Sequence, residues 1–205
     1  MTQILQHSEG SPLSGEQIQA IGSAARACKI IAFPTDTVYG IGSTGLIKAA
    51  ARRIYQIKER PSIKPLPILV HSTEEARKWV EWTEVADSLA RRFWPGPLTL
   101  VLKPTAQGRL LTFAEYQTVA IRVPNHPLLL KIIEASSVPW VSTSANRSDQ
   151  PALSDGAEVA RQFAGAVDYI IDAGRLPGVE STLIDATQTE PRVLREGAVK
   201  LGALT

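Results

Sequence analysis

A chain of 205 residues with 44% apolar and 20% charged side chains can bury one substantial core, so it needs neither a disulfide nor a structural metal to fold. Its lone cysteine, Cys28, excludes an intramolecular disulfide and a cysteine metal cluster, and no apolar run approaches the ~20 residues that span a bilayer. A formal charge of +2 is too small to mark a nucleic-acid binder by itself, and Met1 to Glu9 lacks the basic-then-apolar pattern of a secretory signal, so a cytoplasmic protein is expected.

In chain order, Ser14 with Gln17 makes a capping-box pattern, and Ile18, Ile21, Ala25 and Cys28 recur at helical spacing. That predicts a helix over 15–27 and reads Cys28 as a buried, inert thiol in an apolar, helix-like stretch. Residues 30–33 read as a buried strand stopped by Pro34, followed by a loop rich in Thr and Gly through Gly45. A helix is expected over 47–58. Residues 66–70 read as a strand, with Pro67 arguing for an edge or bulged position.

Ser72 and Glu75 cap a helix running into Trp79, and a second helix over 84–93 stops at Pro95-Gly96-Pro97. Strands are expected at 98–102, 118–123, 140–143, 169–172, 182–185 and 192–194, and helices at 128–135 and 155–163. Strands alternate with helices early and cluster late, which indicates α/β with a mixed sheet. No repeat, low-complexity tract or linker divides the chain, so one domain over 1–205, with its core at about 15–200, is expected.

Gly40-Ile41-Gly42-Ser43-Thr44-Gly45 spells G-x-G-x-x-G. A dinucleotide fingerprint places its first glycine directly after the strand, whereas here residues 34–39 intervene. No Gly-Lys-Ser/Thr closes the segment as a Walker loop. His7, His71 and His126 have no metal-ligand spacing, His126 reads as a turn residue, and Ser144 lacks a nucleophile-elbow context.

Four segments place anion-binding groups at strand or helix ends. In Pro34-Thr35-Asp36-Thr37-Val38-Tyr39-Gly40, hydroxyls and a glycine-permitted backbone can receive a carboxylate or phosphate, although Thr and Asp favour turns anyway. In Lys58-Glu59-Arg60-Pro61, two cations leaving a helix can reach one polyphosphate, or simply complement the helix dipole. Arg52, Arg53 and Lys64 extend that basic run, which read alone is a solvated helix face. Ser142-Thr143-Ser144-Ala145-Asn146 offers hydroxyls and an amide where small residues admit a ligand, or reads as a plain polar loop. Gly178-Val179-Glu180-Ser181-Thr182 is the fourth.

These segments, in order with Trp94-Pro95-Gly96-Pro97-Leu98-Thr99, Ala120-Ile121-Arg122-Val123-Pro124 and Arg195-Glu196-Gly197, closely resemble the YrdC-type threonylcarbamoyl-AMP synthase family, in its short single-domain form, over about residues 15–200. The resemblance implies a twisted mixed sheet with flanking helices around a basic concave cavity. It implies synthesis of threonylcarbamoyl-AMP from L-threonine, bicarbonate and ATP with release of pyrophosphate, for threonylcarbamoyladenosine modification of tRNA. ATP would enter with Mg²⁺ held mainly by its phosphates, with no metal ligand from protein side chains and no tightly bound prosthetic group. The product would pass to downstream tRNA threonylcarbamoyl-transfer proteins. Direct tRNA binding at +2 overall would be weak and salt-sensitive.

By motif match, Lys58 and Arg60 would carry the catalytic grip on the triphosphate. Thr35, Arg122, Ser142 and Ser181 would hold threonine, with Arg122 on its carboxylate. Thr118, Ser144, Asn146 and Arg195 would complete the nucleotide side, and Tyr39 would be a second contact. The chain departs from the family pattern at Lys64, Leu69, Ala152 and Glu196. Leu69 stands where some members carry a threonine-contacting histidine, and that role does not transfer to His71. Any lid is expected from 106–117 or from a partner.

Two alternatives stay open. A paralogue that keeps the fold but binds RNA or nucleotide is one, opposed by the intact Lys58-Glu59-Arg60 and Ser144-Ala145-Asn146. A carbamoyl-transfer module of the hydrogenase-maturation kind is the other, opposed by the single cysteine and the lack of accompanying segments.

Overall fold

The computed structural model describes residues 1–59, 65–111, 116–148 and 150–200. Its framework is one ten-stranded mixed sheet in the order β1-β8-β2-β3-β7-β4-β6-β5-β9-β10. The strands are β1 Gln3–Gln6, β2 Ile31–Phe33, β3 Gly40–Thr44, β4 Ile68–Leu69, β5 Leu98–Leu102, β6 Val119–Arg122, β7 Trp140–Ser144, β8 Tyr169–Asp172, β9 Thr182–Asp185 and β10 Arg192–Arg195. The helices are α1 Gly15–Arg26, α2 Lys48–Lys58, α3 Thr73–Trp79, α4 Glu84–Phe93, α5 Pro127–Ser136 and α6 Gly156–Phe163, with a 3-10 turn at Gly108–Leu110.

The helix ends follow the chemistry of the sequence. Ser14 and Gln17 form the reciprocal capping box of α1. The side chains of Ser72, Thr83 and Asp155 accept from first-turn amides of α3, α4 and α6, which would otherwise lack partners. Helix α1 ends at Arg26, before Cys28, which leaves the helix with φ +64°. The Cys28 amide donates to the Ala25 carbonyl and the Lys29 amide to that of Ala24, the pairing of a Schellman cap with cysteine in the usual glycine position. Cys28 is therefore a half-buried cap residue rather than a core thiol.

Alternation along the strands sorts the two faces of the sheet. Ala32, Ile41, Ile68, Leu98, Leu100, Val119, Ile121, Val141 and Ile170 share the larger core with apolar residues of α2, α3, α4 and α6. On the opposite face Phe33, Leu69, Trp140 and Ile171 form a second core with α1 and α5. Phe33 meets Trp140 edge to face, with centroids 5.4 Å apart. Helices α1 and α5 touch at backbone distance: a Cβ on Gly22 would lie 2.8 Å from the Ser136 nitrogen. These two helices cover only part of their face. The rest is left concave.

Three expectations are corrected. The Thr- and Gly-rich segment is a strand from Gly40, antiparallel to β2 and β7. The G-x-G spacing serves packing there, since a Cβ on Gly42 would lie 2.7 Å from the Val141 carbonyl oxygen and 2.9 Å from the Phe33 ring. Strand β4 lies between β7 and β6, not at an edge. Pro67 stands just before its ladder, where the missing N–H interrupts nothing and the carbonyl accepts from the Ser142 amide at 2.8 Å. Strand β1, which pairs parallel to β8 at one end of the sheet, was not anticipated.

Candidate functional site

The concave part of the sheet encloses a cavity of about 420 Å³. Its walls come from the alternate residues that do not enter the larger core. Thr118, Ala120 and Arg122 face it from around β6, Thr99 and Val101 from β5, Ser142 and Ser144 from β7, and Ser181 and Leu183 from around β9. The turn after β2, including Thr35 and Thr37, closes one side, and Glu180 with Arg195 closes another. Small residues and hydroxyls on these positions leave both the space and the hydrogen-bonding groups.

Arg122 is the buried cation of the cavity, 6% exposed. Its Nε donates to the Gly96 carbonyl at 3.0 Å, one terminal nitrogen to Thr37 Oγ1 at 3.2 Å, and the other to Asp36 Oδ1 at 2.5 Å. Burial pulls its pKa below the ordinary guanidinium value, while Asp36 pushes it back up. A guanidinium fixed on three sides offers a planar site for one carboxylate. Thr35 organises the turn beside it. Its hydroxyl donates to the Val38 carbonyl at 2.6 Å, accepts from the Thr37 amide at 3.0 Å and shares a 2.8 Å bond with the Thr37 hydroxyl. That hydroxyl is fully engaged within the turn.

Ser181 joins the two other predicted walls. It shares a 2.8 Å bond with Thr99 and accepts from Arg195 at 3.3 Å, while Arg195 also donates to the Ser181 carbonyl at 2.8 Å. Arg195 pairs with Glu180 Oε2 at 3.1 Å. Ser142 donates weakly to the Pro67 carbonyl at 3.3 Å.

Lys58, in the last turn of α2, is 3% exposed. Its Nζ donates to the Ser144 carbonyl at 2.6 Å and to Asn146 Oδ1 at 2.7 Å. Asn146 also accepts from Ser144 Oγ at 2.7 Å and donates to the Gln150 carbonyl at 2.6 Å. Lys58 and Asn146 thus stand behind Ser144 rather than in the cavity wall. Arg60 and Lys64 lie outside the described residues, as does part of the expected lid. Tyr39 borders the cavity, but its hydroxyl donates to the Gly174 carbonyl and accepts from the Ala173 amide, and burial pushes its pKa up to about 12.

Residue alternation would have found Thr99 and Ala120, which the motifs contained without a role. Asp36 and Thr37 lay within a segment the sequence marked for anion binding, but their role as partners of Arg122 was not legible, because it depends on a contact made across the fold. His126 is the N-cap of α5, and its Nδ1 is buried with no hydrogen-bond partner among the described residues. Among the described residues, no group of three or more His, Cys, Asp and Glu could hold a metal ion.

A family model described as telomere recombination, Sua5_yciO_yrdC, matches residues 23–197. The threonylcarbamoyl-AMP synthase of Pyrococcus abyssi is 43% identical over 188 residues, covering 90% of this chain and 55% of the relative. The structure of P. abyssi Sua5 complexed with L-threonine superposes with a TM-score of 0.88 at 39% identity, over 98% of this chain and 59% of that one. Escherichia coli YciO superposes with a TM-score of 0.89 at 28% identity, over 100% of both chains. The chain spans about half the length of the curated P. abyssi and Bacillus subtilis synthases that it matches, 55% and 54%.

Proposed function

The chain belongs to the Sua5–YciO–YrdC family, and on that premise we propose that it makes threonylcarbamoyl-AMP from L-threonine, bicarbonate and ATP. The observation that carries the reading is a single cavity with the buried Arg122 at one wall and Ser144, Thr118 and Arg195 at others. Such a cavity can hold a small amino acid and a nucleotide side by side. The two P. abyssi relatives, one named as the synthase and one complexed with L-threonine, support both substrates.

In this reading Arg122 takes the threonine carboxylate, and Ser142, Ser181 and the Thr35 turn surround the rest of the molecule. The amine nitrogen forms a C–N bond with carbon dioxide derived from bicarbonate and loses a proton, giving a carbamate. A carbamate oxygen then bonds to the α-phosphorus as the bond to the β-phosphate oxygen breaks, and pyrophosphate leaves with that electron pair. A displacement at phosphorus needs positioning and charge neutralisation more than a protein nucleophile. Lys58 and Arg60 supply positive charge on the triphosphate side, Lys58 moving from its contacts with Ser144 and Asn146. Thr118, Ser144, Asn146 and Arg195 position the nucleotide.

Mg²⁺ bound to the phosphates would neutralise their charge. A wall of hydroxyls and cations fits a metal carried in by its own phosphates better than one held by side chains. The product would pass to tRNA threonylcarbamoyl-transfer proteins in the cytoplasm. No helix among the described residues is long and apolar enough to cross a membrane.

The engagement of Lys58 by Ser144 and Asn146, away from the cavity wall, also fits a second reading, a family member that binds nucleotide or RNA without making the adduct. Incubation with ¹³C-bicarbonate, threonine and ATP separates the two. The synthase reading expects the label in an adenylate that also contains threonine. Bound ATP with no labelled adenylate would favour the second reading.

A further inference from the structure

The segment Trp94-Pro95-Gly96-Pro97-Leu98-Thr99 joins two walls of the cavity. Its Gly96 carbonyl accepts from Arg122 Nε at 3.0 Å, and its Pro97 carbonyl accepts from the Thr182 amide at 3.0 Å, next to Ser181. The Trp94 indole donates to the Leu98 carbonyl at 2.6 Å and braces the turn from within. The antiparallel register that sets Leu100 opposite Ile121 carries Thr99 beside Arg122, and both face the cavity.

Thr99 and Ser181 share a 2.8 Å hydrogen bond, and their surroundings decide which hydroxyl donates. Thr99 is 2% exposed, and its Oγ1 has no other partner among the described residues. Were Thr99 the acceptor, its own hydrogen would have none in the wall, a loss larger than a neutral hydrogen bond returns. Ser181, at 7%, is the more open to the cavity. Thr99 therefore donates to Ser181.

Arg195 donates to the same Ser181 oxygen at 3.3 Å. A serine hydroxyl has two acceptor lone pairs and one hydrogen. The wall takes both lone pairs, so what Ser181 presents to the cavity is its hydrogen.

Resting on the reading of Ser181 as a threonine contact, we propose that Thr99 is a positioning residue that holds the Ser181 hydroxyl as a donor to an unprotonated oxygen of the amino acid, which beside Arg122 is its carboxylate. A hydroxyl held in this way selects by polarity. It gives a hydrogen bond to a carboxylate oxygen and none to an ammonium, so it fixes which end of the amino acid lies against Arg122. Loss of the Thr99 hydroxyl frees one lone pair of Ser181 and lets its hydrogen turn away, although no group that touches the ligand is removed.

Calorimetric titration of L-threonine, and separately of ATP, into the unmodified protein and four variants tests this. The variants are Thr99→Val, Thr99→Ser, Ser181→Ala and the double change Thr99→Val with Ser181→Ala. Valine has the shape of threonine and suits a strand, so it removes the hydroxyl alone. Thr99→Val is expected to weaken threonine binding about 3–10-fold, the worth of one neutral hydrogen bond, and to change ATP affinity by less than about twofold. Thr99→Ser keeps the hydroxyl and should bind threonine within about twofold of the unmodified protein. Ser181→Ala should weaken threonine binding about 10-fold or more, and Thr99→Val should cost nothing further in that background, because Thr99 acts through Ser181. If Thr99→Val does not fold, Thr99→Ala removes the same hydroxyl and replaces it in every comparison.

Unchanged threonine affinity in Thr99→Val, where Ser181→Ala weakens it, overturns the proposal alone. So does a loss that Thr99→Ser does not restore, an equal loss in ATP binding, or a loss that persists in the Ser181→Ala background. Full threonine affinity in Ser181→Ala removes Ser181 from the threonine site, and no threonine binding by the unmodified protein removes the site itself. In either case the underlying reading fails, and this inference fails with it.

Discussion

Arg122 is held by Gly96, Thr37 and Asp36, and each contact constrains what a substitution there can do. Alanine would strand the Asp36 carboxylate at a buried site, where breaking an ion pair costs about 3–5 kcal/mol, so loss of function and loss of fold would be confounded. Lysine keeps the charge and loses the planar fork. Arg122→Lys is expected to raise the threonine KM about 10–100-fold while leaving the ATP KM within about twofold, as for loss of one charge-assisted contact. An equal rise in both constants in steady-state kinetics would place Arg122 outside the threonine site.

Lys58 differs in kind. It is buried but sits behind Ser144, so its charge reaches the cavity only after a side-chain movement. Lys58→Ala should lower kcat by about 10²-fold or more, the usual cost of removing one donor aimed at developing charge. Unchanged kcat in a folded variant would remove Lys58 from the phosphate site.

At the scale of elements, two features outside the cavity can be tested by stability alone. Cys28 occupies the left-handed position that ends α1, with φ +64°. A residue with a Cβ pays roughly 1–2 kcal/mol there relative to glycine, so Cys28→Gly should stabilise the protein by about 1 kcal/mol, read as a higher midpoint in urea. A lower midpoint would mean that the half-buried thiol contributes more than the strained backbone costs.

Asp168 ties the start of β2 to α2. It accepts from the Ile30 amide at 2.8 Å and from Arg53 at 2.6 Å, with Lys29 3.5 Å away. Partial burial raises its pKa, but the hydrogen bonds from Ile30 and Arg53 and the two positive charges outweigh that and hold it below 3.8. A depressed carboxylate stabilises the fold above the unfolded value and loses that contribution as pH falls through the folded one, so the window lies below about pH 4. Asp168→Asn should lower stability by about 1–2 kcal/mol at pH 7 and by progressively less as the pH drops through that window. A constant difference across that range would contradict the assignment.

Much of this architecture was legible in the sequence where local chemistry decides it. The caps at Ser14 and Ser72 and the stop at Pro95-Gly96 bound their helices, and the short 98–102 and 182–185 segments form the strands expected of them. What was not legible depends on partners distant in the chain. Gln3-Ile4-Leu5-Gln6 is a strand because β8 pairs with it, and Gly40 to Thr44 is one because Phe33 and Val141 need its missing side chains. Pro67 misled by its residue type, since the ladder begins one residue later.

The site divides in the same way. The motifs located Thr35, Arg122, Ser142, Ser144, Ser181 and Arg195, which the fold brings to one cavity. The pairing of Arg122 with Asp36, and the placement of Lys58 behind the wall, belong to the folded chain alone.

For the whole molecule, the proposed synthesis requires one cavity to bring together an amino acid, carbon dioxide from bicarbonate and ATP, so that carbamate formation leads directly to displacement at the α-phosphorus. The measurement that tests this most directly follows pyrophosphate release from ATP in the presence of Mg²⁺, with threonine and bicarbonate supplied together, singly and not at all. Release is expected only when both are present. Release independent of threonine, or none at all from folded protein that binds ATP, would contradict it.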